Sequence, residues 1–194
     1  MLAFDESSHR YTLDGKVIPS VTQIIGDVFP GWQADEWYMA KGSAMHHGCR
    51  LIDEGRLDWT SVAPEIVGRL RAWERFRADY PAQVIAAELP LAHPLYRFAG
   101  TLDRVFLDKS SKLIIADIKS TIVPQVKVQL AAYKLLRDDC YKQSIPITSG
   151  AAVELRDNGT YSAMWLTRKE LELSARTFLA ALTVYNWKKK ENQS

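Results

Sequence analysis

The sequence predicts an α/β fold in which a central mixed β-sheet is flanked by helices. Three observations carry that prediction. The hydrophobic period over residues 64–80 is helical and changes to two directly after Pro81. The elements run as helices, three strands, a helix, two strands and a last helix, not as alternating βαβ units. Finally, 194 residues, 47% of them hydrophobic, suffice for one continuous core.

Taken in order, residues 10–18 read as a hairpin around Asp14-Gly15, a pair that tolerates positive φ. Ser20-Val-Thr-Gln23 has the capping-box pattern and opens a short helix through about Gly26. Pro30-Gly31 ends that region, and residues 32–57 turn helical again, with Gly55 as the stop. A firmer helix spans 64–80, where Ile66, Leu70, Trp73 and Phe76 recur at helical spacing and Arg69, Arg71, Glu74 and Arg75 fill the other face. Residues 83–91, 97–107 and 112–118 are expected as strands, the last two joined by the turn at 108–112. Residues 125–139 carry a helical stripe of Val128, Ala131, Ala132, Leu135 and Leu136. A second hairpin, 149–155 and 160–166, turns at Asp157-Asn-Gly159. Thr167-Arg-Lys-Glu170 then caps a final helix with Leu171, Ala175, Phe178, Leu179 and Leu182 inward. The expected organisation is one domain over 1–194: a hairpin and helices in 1–80, central strands and helix in 81–140, and a hairpin and helix in 149–190.

Composition excludes several classes. With 25 basic and 23 acidic residues, the net charge is only +2, and the apolar fraction is ordinary, so disorder is not expected. No run approaches the roughly 18 apolar residues of a membrane span, so no membrane partner is expected. The start lacks the basic and then apolar segments of a signal peptide, which points to the cytoplasm. Cys49 and Cys140 are too few for a disulfide framework and read as small buried apolar residues. A near-zero net charge looks adverse to a nucleic-acid partner. Position qualifies it, because Arg69, Arg71, Arg75 and Arg77 share one helix and Lys188, Lys189 and Lys190 the tail.

The chemistry concentrates between Phe98 and Lys119. Asp103 lies in an apolar strand, and Asp117 and Lys119, two apart on the next, point to one face. Hairpin pairing brings Asp103 towards Asp117, and two buried carboxylates repel unless paired or bound to a cation. Spacing alone leaves two readings level: a metal site with a lysine beside it, or an ion pair of Lys119 with Asp117 or Asp103.

The series Gly100-Thr-Leu-Asp103, Asp117-Ile-Lys119 and Gln129-Leu-Ala-Ala-Tyr133 resembles the PD-(D/E)XK nuclease superfamily, in particular RecB-type, mitochondrial genome maintenance and related phage exonucleases. Gly42-Ser-Ala-Met-His46 matches that family's Gly-x-x-x-His, and Ser20-Val-Thr22 and the strand of Glu88 extend the resemblance over residues 9–135. No piece is specific alone; the four in order, each on its expected element, make the signal.

The resemblance implies a restriction-endonuclease-like core and a Mg²⁺- or Mn²⁺-dependent deoxyribonuclease, an exonuclease on DNA ends or single strands. Asp103, Asp117 and the backbone carbonyl of Ile118 would hold the metal with His46, Lys119 would be the catalytic lysine, and Glu88 a further acid on the first strand. Gln129 and Tyr133, four apart on one helix face, would order the site or hold DNA, with Arg104, Ser120, Thr121 and His47 as further DNA contacts. Two departures stand out: no acid follows His46 in His47-Gly-Cys-Arg50, and two cysteines do not make the four-cysteine iron–sulfur cluster of some relatives, so none is expected. Trp32, Trp37 and Tyr38 are expected in the core, with a stacking platform for bases as the alternative. His9 and His93 are expected to be structural or exposed. The alternatives left open are a structure-specific endonuclease and a silent DNA-binding module. The resemblance also suits a phage or prophage product in DNA recombination, repair or processing, with a recombinase or single-strand-binding protein as an open partner.

Overall fold

The computed structural model describes residues 1–5, 8, 10–29 and 36–192, without the side chains of 36–41. His9 and Trp32 lie outside the described residues, as do the side chains of Trp37 and Tyr38.

Three short strands, β1 (Leu2–Asp5), β2 (Arg10–Leu13) and β3 (Lys16–Ile18), form a small antiparallel sheet. The hairpin is the expected one, with Asp14 at φ 52° and Gly15 at φ 76° in its two-residue turn. The sequence reading missed β1, whose four residues are too few to show a period. Helix α1 (Val21–Val28) starts at the anticipated capping box: the Ser20 hydroxyl accepts from Gln23 N–H at 3.1 Å, and Gln23 Oε1 accepts from Ser20 N–H at 2.9 Å. Helices α2 (Glu36–Asp53) and α3 (Pro64–Asp79) follow, and the chain leaves α2 through the expected stop, Gly55, which has a φ of 66°.

Strands β4 (Gln83–Ala92), β5 (Ala99–Leu107) and β6 (Leu113–Lys119) form an antiparallel meander. Arg97, expected in β5, instead has a φ of 51° and turns the β4–β5 hairpin, its N–H donating to His93 O. Helix α4 (Val126–Cys140) then carries the chain to β7 (Ile147–Leu155), which pairs parallel with β6. Strand β8 (Tyr161–Thr167) returns antiparallel, and α5 (Arg168–Glu191) closes the described chain from the predicted Thr167–Glu170 capping box. The large sheet therefore has the order β4-β5-β6-β7-β8 and is mixed, as the element order predicted.

Helices cover both faces of this sheet. Leu113 and Ile115 of β6 pack with Ile24, Leu130, Leu136 and Phe178 from α1, α4 and α5. Ile114, Ala116 and Ile118, on the other side of the same pleat, pack with Met45, Leu70, Trp73 and Phe76 from α2 and α3. Each such buried side chain contributes roughly 1.5–3 kcal/mol, so β6 is firmly seated. An ionised carboxylate in the same strand is costly unless compensated, and β6 carries Asp117 at 1% exposure. The two cysteines part company: Cys49 is buried, whereas Cys140, at the end of α4, is exposed, contrary to expectation.

Candidate active site

The site is assembled by pairing register. Arg104 pairs with Ala116, and continuing that ladder sets Asp103 opposite Asp117. On the other side Ala87 pairs with Arg104 and Leu89 with Leu102, which sets Glu88 opposite Asp103. Three acids thus form a row across β4, β5 and β6. His46, on α2, completes a cluster: its Nδ1 lies 3.5 Å from Asp103 Oδ1 and 3.7 Å from Glu88 Oε1. Among the described residues, His46, Glu88 and Asp103 form a candidate metal-binding triad whose donor atoms all lie within 4.8 Å of one another.

Asp117 stands beside this triad, paired with Lys119 at 2.9 Å. The side chains of Asp117 and Lys119 therefore share a face, as their spacing predicted. Both sequence readings survive in part, since Lys119 does make an ion pair, while the acids of the row outnumber it. Asp117 Oδ1 is buried and has no hydrogen-bond partner among the described residues. An orphaned carboxylate oxygen next to an imidazole and two further carboxylates is a donor set that fits a divalent cation.

Electrostatics follow from that crowding. Burial opposes charge on His46, but Asp103 and Glu88 outweigh it and raise its pKa from 6.5 to about 10. Burial likewise works against the Asp103 carboxylate, yet His46, Lys119 and the Ile118 N–H hold its pKa at about 2. Asp117 goes the other way: burial and the nearby Asp103 raise its pKa to about 7 despite Lys119. Burial lowers the Lys119 pKa, but Asp117 and Asp103 raise it above its ordinary value of 10.5, so the ammonium stays charged at neutral pH.

Backbone and neighbours hold the acids in place. The Ile118 N–H donates to Asp103 Oδ2 at 2.7 Å. Glu88 has a φ of 48°, a left-handed conformation inside a strand that costs on the order of 1–3 kcal/mol and tends to persist at functional sites. Gln129 Nε2 donates to the Tyr133 hydroxyl at 2.9 Å. Both are buried, so they support the site from beneath instead of offering an open DNA surface. Burial, with Asp117 and Asp103 nearby, pushes the Tyr133 pKa well up and keeps the phenol neutral. Gly100 explains its own place in the motif: a Cβ there would stand 2.7 Å from Tyr133 Cε1, so only glycine lets the ring lie against β5.

Other expected residues scatter. Ser120 and Thr121 are exposed just past the end of β6, and His47 is exposed on α2. Arg104, expected to touch DNA, is instead fully buried; it follows Asp103 on the strand and so points to the opposite face, over the Trp73 ring. The arginines of α3 do not form one basic face either. Arg69 is buried on Asp157 and Arg77 half-buried on Asp53, while Arg71 and Arg75 are exposed. His93 is buried, accepting from Tyr96 N–H. Sequence reasoning missed Asp53, which accepts from Arg104 at 2.6 Å, Arg77 at 3.0 Å and the Trp73 indole at 3.2 Å. The available signal was spacing, since Asp53 lies seven residues, two helical turns, after His46. It also missed Tyr11, whose hydroxyl meets Thr101 Oγ1 at 2.7 Å and ties the small sheet to β5.

No protein-family model and no curated protein matches the chain. The chain is similar to the crystal structure of an alkaline exonuclease, LHK-Exo, from Laribacter hongkongensis, with 15% identity over 90% of this chain and 94% of that chain and a TM-score of 0.38. The structure of LHK-Exo in complex with dAMP gives 15% identity, coverage of 91% and 95%, and a TM-score of 0.37. No helix among the described residues is long and apolar enough to cross a membrane.

Proposed function

We propose that this chain is a Mg²⁺- or Mn²⁺-dependent deoxyribonuclease of the PD-(D/E)XK type, acting as an exonuclease on DNA ends or single strands. The observation that carries this reading is the acid row Glu88–Asp103–Asp117 on three adjacent strands, with His46 over one end and Lys119 at the other. A purely structural arrangement would pair those charges; this one leaves a buried oxygen of Asp117 without a donor among the described residues.

His46, Glu88 and Asp103 would hold the cation, with Asp117 completing the donor set on the Lys119 side. The bound cation supplies Lewis acidity that neutralises charge on the scissile phosphate and the leaving oxygen. The remaining work falls to the chain itself. Asp103 is fixed by the Ile118 amide, so it binds without reorganising. Lys119 stays protonated, and this assigns it to orienting the attacking water and countering phosphate charge rather than taking a proton. Gln129 and Tyr133 would buttress β5 beside the acids, and exposed Ser120 and Thr121 would donate to phosphate oxygens. A role in phage DNA recombination, repair or processing, within a host cytoplasm and alongside a recombinase or single-strand-binding protein, extends this reading.

End-labelled linear DNA and a closed circle, each incubated with Mg²⁺ or with EDTA, test it. Loss of the linear form alone, only with Mg²⁺, and its abolition in Asp103→Asn are the expected results. A nicked circle would replace the exonuclease with an endonuclease, and no Mg²⁺-dependent loss of either DNA would overturn the reading.

A further inference from the structure

Arg104 is the largest charged side chain with no exposure at all. Its guanidinium meets three partners on three elements: Nη1 donates to Glu88 Oε1 of β4 at 2.9 Å and to the Asp103 carbonyl of β5 at 2.6 Å, while Nε donates to Asp53 of α2 at 2.6 Å. Asp53 is itself held by Arg77 and Trp73 from α3. Asp53 and His46 lie two turns apart on one helix, so they share a face of α2. A single fork therefore fixes the helix that bears His46 to the strand that bears Glu88. Glu88, in turn, has a backbone that its surroundings must hold, at a φ of 48°.

We propose that Arg104 and Asp53 are positioning residues that set the Glu88 carboxylate and the His46-bearing helix at the spacing a divalent cation requires. Arg104 engages one oxygen of Glu88 and limits its rotation, and Asp53 anchors Arg104 against α2. The planar fork is the necessary feature, because an ammonium at the same place cannot hold Glu88 and Asp53 in one plane. This inference rests on the metal-dependent reading of the site.

The experiment measures Mn²⁺ binding, by the resonance signal of the free ion, for the full chain and for E88Q, R104K, D53N, D103N, E88Q/R104K and D53N/E88Q. Near-ultraviolet circular dichroism verifies the fold of each. R104K is expected to weaken Mn²⁺ binding about 10- to 100-fold and D53N about tenfold, the range for groups that orient a metal ligand. In the E88Q background each substitution is expected to weaken binding by clearly less than it does alone, because the part that acts through Glu88 is already lost and only the placement of His46 remains. A residue that merely stabilised the fold would not show that dependence. Equal losses with and without E88Q, or wild-type affinity in folded R104K and D53N, overturn the proposal. If R104K does not fold, D53N with D53N/E88Q makes the same comparison. A wild-type chain that binds no Mn²⁺, or a D103N variant that binds like wild type, overturns the metal reading and this inference with it.

Discussion

Asp103 and Arg104 are neighbours on one buried strand, yet the charges around them are balanced in different ways. On the side of α2 and α3, Arg104 and Arg77 meet Asp53 and Glu88, and Asp53 accepts from three donors. On the side of α4, Asp103 meets His46 and the Ile118 N–H, Asp117 meets Lys119, and among the described residues Asp117 Oδ1 has no donor. On the first side each acid meets a guanidinium, and in that sense it is complete and serves as scaffold, although Arg104 Nη2 is buried with no acceptor among the described residues. The second leaves a buried carboxylate oxygen without a donor among the described residues, the charge that the proposed cation would balance. Burial does not tell them apart; the partners of the acids do.

The largest effect that separates the two sides is expected at Lys119. Lys119→Ala removes the ammonium paired with Asp117 and should lower cleavage by about 10²–10⁴-fold or more, the range for losing a charge that acts in the transition state. Mn²⁺ and DNA binding should be largely retained, because the triad of His46, Glu88 and Asp103 does not include it. Cleavage at the wild-type rate in end-labelled assays would show that Lys119 is only a partner for Asp117.

A second, smaller effect is read by pH. His46 has a folded pKa of about 10 against an ordinary 6.5, so its stabilising charge is fully present below about pH 6.5 and is lost as pH rises through about 10. In EDTA the unfolding midpoint should therefore fall between pH 7 and 9, by up to roughly 2–3 kcal/mol at about 1.4 kcal/mol per pH unit per proton. His46→Ala should flatten that decline, which differential scanning fluorimetry would record. Asp117 acts in a lower window. Its pKa is raised from 3.8 to about 7, so the folded chain holds that proton more tightly and stability falls as pH rises from about 4 to 7. Metal binding titrates with both groups, since each must lose its proton to ligate, and affinity should rise with pH through the Asp117 window and on into that of His46.

Much of the fold was legible because periodicity and caps are local. The Ser20 and Thr167 capping boxes, the Asp14-Gly15 and Gly159 turns and the stripes of α3 and α4 all lie where the pattern put them. The placement of Asp117 and Lys119 on one face was legible for the same reason, since alternation follows from two residues of strand. Glu88 became a full member of the triad only through the β4–β5 register, which no local pattern encodes. Arg104 was misassigned because a basic residue beside a motif aspartate suggests phosphate, whereas the pleat turns it inward onto Trp73. Asp53 was passed over because an acid near a helix end usually meets solvent; here α3 covers it with Arg77 and Trp73.

The smallest effect tests the complete side. Arg77 donates to Asp53 and to the carbonyls of Tyr80 and Ala82, and its stem crosses the Phe106 ring. Arg77→Met keeps the apolar stem but leaves those two carbonyls without this donor, while Asp53 still accepts from Arg104 and Trp73. The expected loss is about 1–3 kcal/mol of stability, read as a lower urea midpoint at unchanged slope. Arg71→Met, which breaks the exposed pair with Glu74 and the guanidinium contact over the Trp59 ring, should cost no more than about 1 kcal/mol. The difference between these two arginines, six residues apart on one helix, isolates the contribution of burial and partner number from that of charge. If both variants shift the midpoint equally, the network around Asp53 contributes no more than an exposed pair, and the division into a complete and an incomplete side loses its energetic basis.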